Sequence, residues 1–336
     1  MITSAGLFDL QVNGYAGVDF NDPAITAAAL DDALEAMLAS GVTQCLPTLI
    51  TAHAEQLRER FLALDAAVAA SRLGPLMVPG YHLEGPFLNA AEGYAGCHPP
   101  QAMTDPDIAL IERLETGLHR PILLVTLAPE RAGSLAFIAE LTRRGKACAV
   151  AHSAAGLAEV AAAADAGMTL STHLGNGLPQ LLPKLENTLL AQLAEPRLTA
   201  CLIADGHHMS PAVLAALLQL KGAENCILVT DAVLGAAAAP GVYSFAGMAV
   251  ERTEAGAMVQ PGRTSLAGSA LCLDQAVRNV AAWTGLRAET AIGMASIAPR
   301  RALEAAMARH GVALDPGVLR WSSDLSPAIE RFRAGR

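Results

Sequence analysis

The feature that most constrains this chain is a rhythm. Short β-prone runs recur along it: LFDLQV, TQCLPT, LMVPGYHLE, ILLVTLAP, ACAVAHS, TLSTHL, TACLIADG and CILVTD. Longer Ala/Leu-rich stretches with helical spacing separate them. Alternation of this kind builds a parallel sheet covered by helices. About eight such units in 336 residues predict an α/β fold of the (β/α)8 TIM-like barrel type, with an open sheet as the alternative that periodicity alone leaves standing.

The helices carry their own punctuation. DPAITAAALDDALEAMLASG opens on Asp-Pro and stops at Gly, SLAFIAELTRRG stops at Arg-Arg-Gly, and SPAVLAALLQLKG opens on Ser-Pro and closes on Lys-Gly. Near 236–268 the rhythm breaks, because Pro and Gly interrupt short alternating runs; hairpins inserted after the eighth strand are expected there. The expected organisation is a barrel over 6–310 and a tail, 311–336, forming a small β appendage with Trp321, Ile329 and Phe332 as its packing residues.

Composition narrows the partners. A formal charge of −9 and scarce aromatic residues leave no basic face for nucleic acid and argue against a membrane surface. The six cysteines are scattered, without a C-x-x-C pair, and read as buried thiols of a reducing compartment. MITSAGLFDLQ lacks the basic start and apolar run of a signal peptide, and no uncharged stretch is long enough to cross a bilayer. A cytoplasmic location is expected.

Polar residues cluster where the strands end. Glu84 closes the third run, His152 the fifth, His173 the sixth, Asp205 with His207 and His208 the seventh, and Asp231 the eighth. In a barrel those ends converge on one face. A carboxylate ending an apolar run is costly to bury unless it meets a cation or a basic side chain. One Glu and two His on separate strands suit a divalent metal with an open position, and Asp231 is placed to act as base to its water. Adjacent His207 and His208 point to opposite sides of an extended segment, so one is expected to face the pocket. His53, His82, His119 and His310 read as structural or solvent-facing, and Asp9 as an orienting group.

The stretches DLQVNGYAGVDFND, GVTQCLPTLIT, HLEGPFLN, GCHP, VTLAPE, AHS, THLGN, IADGHH, LVTDA and LAGSALCLDQAVRN, in this order, resemble the N-acetylglucosamine-6-phosphate deacetylases of the amidohydrolase superfamily. The resemblance implies Glu84, His152 and His173 as metal ligands, Asp231 as catalytic acid/base and His98 as a histidine near the scissile carbonyl. It also implies Asn176, Gly177 and His208 as substrate contacts. Where two-metal relatives carry H-x-H, this chain has Gln11-Val12-Asn13, which implies a single divalent ion, zinc foremost, and a vacant second-metal position. The implied substrate is a small N-acetylated amino sugar, and the implied assembly a homodimer.

Two departures shape the expectation. Lys184 stands where the family has an Arg that reaches the phosphate of the neighbouring subunit's substrate, with Glu186 two residues on; Ala95 replaces a basic residue and Gly175 a larger one. A pocket with less positive charge and more room follows, which keeps an unphosphorylated N-acetylhexosamine in view. The family's small β-sandwich is expected to be largely missing, since the first barrel strand is reached by Leu7. The alternatives are hydrolysis of another small amide, cyclic amide or N-acyl compound, and a non-catalytic sugar-binding protein.

Overall fold

The computed structural model describes residues 2–262 and 265–333. Eight parallel strands carry the fold: β1 Leu7–Val12, β2 Val42–Ile50, β3 Tyr81–Glu84, β4 Ile122–Leu127, β5 Ala147–Val150, β6 Leu170–Ser171, β7 Thr199–Leu202 and β8 Cys226–Leu228. Each pairs with the next in chain order. Buried on both faces, β1, β2 and β4 need the near-continuous apolar runs seen in the sequence. The ring closes just beyond β8, where Asp231 N donates to Gln11 O at 2.9 Å and Asn13 N to Ala232 O at 2.7 Å. At that seam Asp9 accepts from the hydroxyl and backbone N–H of Thr230.

Two elements differ from the sequence expectation. The run LMVPGYHLE is a strand only over Tyr81–Glu84; Gly74–Met77 turns into a short helix, because Pro75 suits a first helical turn and Pro79 has no N–H for a ladder. The first long helix starts at Ala27, not at Asp22-Pro23. Thr26 caps it by accepting from Ala29 N at 3.2 Å, while Asp22 accepts from Ala24 N and closes a separate turn.

Two three-stranded sheets flank the barrel, besides a two-stranded ribbon of Gly14–Tyr15 and Val18–Asp19. Strands Gly241–Phe245, Met248–Arg252 and Met258–Val259 form an antiparallel sheet whose apolar side, with Ile50 and Val233, makes a second core over the mouth. Asp19 and Arg60 anchor its first turn through the N–H and C=O of Ala246. At the other end Ile2–Ala5 pairs with Val318–Trp321, which pairs with Pro327–Arg331. Trp321 is buried there and donates to Ser4 Oγ at 2.8 Å. Ile329 is 38% exposed, so it does not pack as expected: its edge strand is solvated on both sides. Among the described residues no helix is long and apolar enough to cross a membrane.

Candidate active site

The strand ends meet as the alternation requires. Glu84 closes β3, and its Oε1 lies 2.9 Å from His173 Nε2, 3.5 Å from His152 Nε2 and 3.9 Å from His98 Nε2, all buried. The ligand atoms of Glu84, His98 and His152 lie within 4.8 Å of one another. One carboxylate oxygen surrounded by three imidazole nitrogens is a donor set for a divalent transition metal. His98, read from the sequence as a loop histidine near the carbonyl, belongs to this cluster by distance.

Local hydrogen bonds fix the donors. His152 Nδ1 donates to the carbonyl of Tyr94 at 2.6 Å, which turns Nε2 toward Glu84. The backbone passes close to that ring at Gly177, where a Cβ would lie 2.5 Å from His152 Nδ1 and where φ is +64°. Only glycine fits. Gln11 Nε2 donates to Glu84 Oε2 at 3.0 Å, and Asn13 Nδ2 to Asp231 Oδ1 at 2.7 Å. Both amides of the Gln11-Val12-Asn13 segment thus hydrogen-bond to carboxylates that line the cavity. Their own oxygens, Gln11 Oε1 and Asn13 Oδ1, are buried without a partner, as is His173 Nδ1.

His152, His173 and Asp231 also share a backbone feature: each is a non-glycine residue with positive φ, at 49°, 31° and 49°. Such conformations are strained for side chains with a Cβ and are held only where the surroundings demand them. Beneath these side chains a polar chain crosses the barrel. His82 lies 3.3 Å from Thr48 Oγ1 and 2.8 Å from Thr126 Oγ1, which lies 2.7 Å from Thr172 Oγ1. His82 is therefore part of the barrel core.

Electrostatics follow from burial. Burial works to raise the pKa of Glu84, but hydrogen bonds from His152 and His173 outweigh it and hold the carboxyl well below the ordinary range. Burial, reinforced by the charge of Glu84, pushes Asp231 up to about 6. Burial and then the charge of His152 push His98 down to about 3, so its ring is neutral at pH 7.

These groups line a cavity of about 880 Å³, with Asn176, Gly177, His207 and His208 also in its lining and Phe245, Thr253 and Val259 contributed by the inserted segment. Both neighbouring histidines reach it, in contrast to the expectation of one. His208 is tethered by Asp205 and His207 is exposed. Lys184 is exposed on the loop 178–187 and does not line the cavity of its own chain. Sequence reasoning gave no role to Thr51, whose Oγ1 lies 2.9 Å from His98 Nδ1. It also passed over Glu130, which accepts from Asn89, Ser153 and Ala154 and so joins three loops of the mouth. The signal for Glu130 was present, a second carboxylate just after a strand in VTLAPE.

The sequence model of the amidohydrolase family matches residues 2–306. The chain belongs to the amidohydrolase family, and is thereby a metal-dependent hydrolase of carbon–nitrogen bonds. An N-acetylgalactosamine-6-phosphate deacetylase of Escherichia coli O157:H7 is 34% identical over 296 residues, covering 88% of this chain and 76% of the relative. An N-acetylglucosamine-6-phosphate deacetylase of Danio rerio is 30% identical over 331 residues, covering 96% and 79%. The crystal structure of N-acetyl-D-glucosamine-6-phosphate deacetylase from Mycobacterium smegmatis superposes with a TM-score of 0.86 at 31% identity, covering 99% of this chain and 86% of that one.

Proposed function

We propose that this chain removes the acetyl group of an N-acetylated amino sugar, an N-acetylhexosamine 6-phosphate or its unphosphorylated counterpart, giving acetate and a free amine. The observation that carries the reading is Glu84 Oε1 set among His98, His152 and His173, with Asp231 lining the same cavity. Glu84, His152 and His173 would hold one divalent ion, zinc by the chemistry of the donors. Such an ion acidifies water and polarises the amide carbonyl.

The chain's own groups then divide the work. Asp231 has Oδ1 tied to Asn13, so Oδ2 is the atom that takes a proton from the attacking water and returns it to the departing nitrogen. His98, neutral, donates from Nε2 to the oxygen on which charge develops when Thr51 donates to its Nδ1. Asn176, Gly177 and His208 contact the sugar. Gln11 and Asn13 take up by hydrogen bonding the carboxylate faces that a second ion would otherwise meet, which supports a single-metal site.

The barrel, 6–310 with its insert near 236–268, is the catalytic unit in this reading, and 311–336 an appendage; residues 263–264 and 334–336 lie outside the described residues. A homodimer completes it, with Lys184 reaching the partner's substrate. Supporting this, Leu181 and Leu185, which flank Lys184, are 90% and 70% exposed. Amine release from N-acetylglucosamine, N-acetylgalactosamine and N-acetylmannosamine, each with and without a 6-phosphate, tests the proposal. Turnover of at least one is expected. No turnover of any of the six by metal-loaded protein would overturn it.

A further inference from the structure

Asp205 follows β7 in the segment that brings His207 and His208 to the mouth. Its Oδ1 accepts the backbone N–H groups of His207 and His208 at 2.8 and 2.9 Å, and its Oδ2 lies 2.7 Å from His208 Nδ1. Both side chains are 7% exposed. The segment is tied down behind them, where Asn279 Nδ2, on the helix Leu273–Thr284, donates to Ala204 O at 2.7 Å. His208 lines the main cavity and Asp205 does not.

The direction of the Asp205–His208 hydrogen bond follows from the carboxylate. Burial works to raise its pKa, but the hydrogen bonds it accepts from His208 and His207 outweigh burial and hold Asp205 below the usual range. An ionised carboxylate can only accept, so His208 Nδ1 must carry a hydrogen. The nitrogen left for a ligand is Nε2. We propose that Asp205 is a positioning residue for substrate binding: it fixes the hydrogen of His208 on Nδ1 and so presents Nε2 to a substrate oxygen.

The substrate half of this inference rests on the deacetylase reading, and the tautomer half does not. An Asn at 205 keeps the shape but offers an amide whose NH2 can face Nδ1. The hydrogen would then move to Nε2, as in the serine protease triad when its Asp is replaced by Asn.

The test is a ¹⁵N–¹H correlation spectrum of metal-loaded protein labelled in histidine, with the His208 signals assigned by their loss in His208→Gln. Wild-type His208 is expected to carry its hydrogen on Nδ1, and Asp205→Asn to shift it to Nε2. In steady-state kinetics Asp205→Asn should raise KM by about 10- to 100-fold, the loss of one charge-assisted hydrogen bond, with a much smaller change in kcat. In the His208→Gln background the same substitution should add little. Comparing the rise in KM with and without a 6-phosphate tells a phosphate oxygen from a sugar hydroxyl.

A wild-type His208 bearing a hydrogen only on Nε2 would overturn the proposal. So would an equal rise in KM from Asp205→Asn in the His208→Gln background. Should Asp205→Asn not fold, since Asp205 also holds the turn, the wild-type spectrum decides alone. It decides equally if none of the sugars is turned over.

Discussion

The two ends of the barrel handle buried charge in opposite ways. At the end where the strands begin, cations meet oxygen: Arg300 donates to the carbonyls of Gly6 and Ser296, Lys146 to Glu115 and the carbonyl of Ile122, and Lys221 to the carbonyls of Gln192, Leu193 and Glu195. At the end where the strands stop, a carboxylate meets only imidazoles and an amide, Asp231 lies beside them, and no Lys or Arg lines the cavity among the described residues. Buried charge whose polar partners all lie within the chain is structural, while buried charge that gathers imidazoles, an amide and a further carboxylate is what a site for something from outside requires. The difference predicts that substitutions at the closed end move stability and those at the open end move metal and activity.

The largest effect expected is at Glu84. Glu84→Ala should lose bound metal and all turnover while keeping the fold, as read by elemental analysis and circular dichroism; metal retained at full stoichiometry would break the comparison. Asp231→Asn comes next, with kcat down about 10²- to 10⁴-fold and metal kept, the range for a lost general base. Gln11→Leu removes the donor to Glu84 Oε2 and should weaken metal binding about 10- to 100-fold in a competition titration with a chromophoric chelator.

The closed end should answer differently. Lys146→Met leaves Glu115 without its cation and should cost about 2–4 kcal/mol in urea unfolding, with kcat/KM unchanged. A change in kcat/KM there would blur the division between the two ends. The smallest effect concerns Asp19, beneath the inserted sheet. Burial raises its pKa from 3.8 to about 6. A carboxyl with a raised folded pKa contributes stability that is fully present below about 3.8 and lost as pH rises through about 6. Between those values wild type should gain more stability on acidification than Asp19→Asn, measured as the difference in unfolding midpoints at each pH.

Much of this was legible in the sequence, because it depends on period and on position along a strand. The eight runs became the eight strands, and the polar residues that ended them, Glu84, His152, His173 and Asp231, came together because parallel strands end on one face. What was not legible depends on which atoms approach. Thr51 reads as one more β-branched residue of PTLIT until His98 comes to lie beside it from a loop. His98 joined the Glu84 cluster only through the fold of GCHP. The helix-like turn at Gly74–Met77 hid in an apolar run that a strand would equally explain, and Ile329 was expected to pack because alternation cannot say that its strand lies at a solvated edge.

The most direct test of the central claim, that the open end is built around one divalent ion serving amide hydrolysis, is a metal titration read by amine release. The purified protein is stripped with chelator and zinc is returned in increments, with an N-acetylhexosamine 6-phosphate as substrate. No turnover is expected in the stripped protein, and full recovery at one equivalent of zinc per chain. Turnover that survives stripping, or recovery that requires two equivalents, would contradict it.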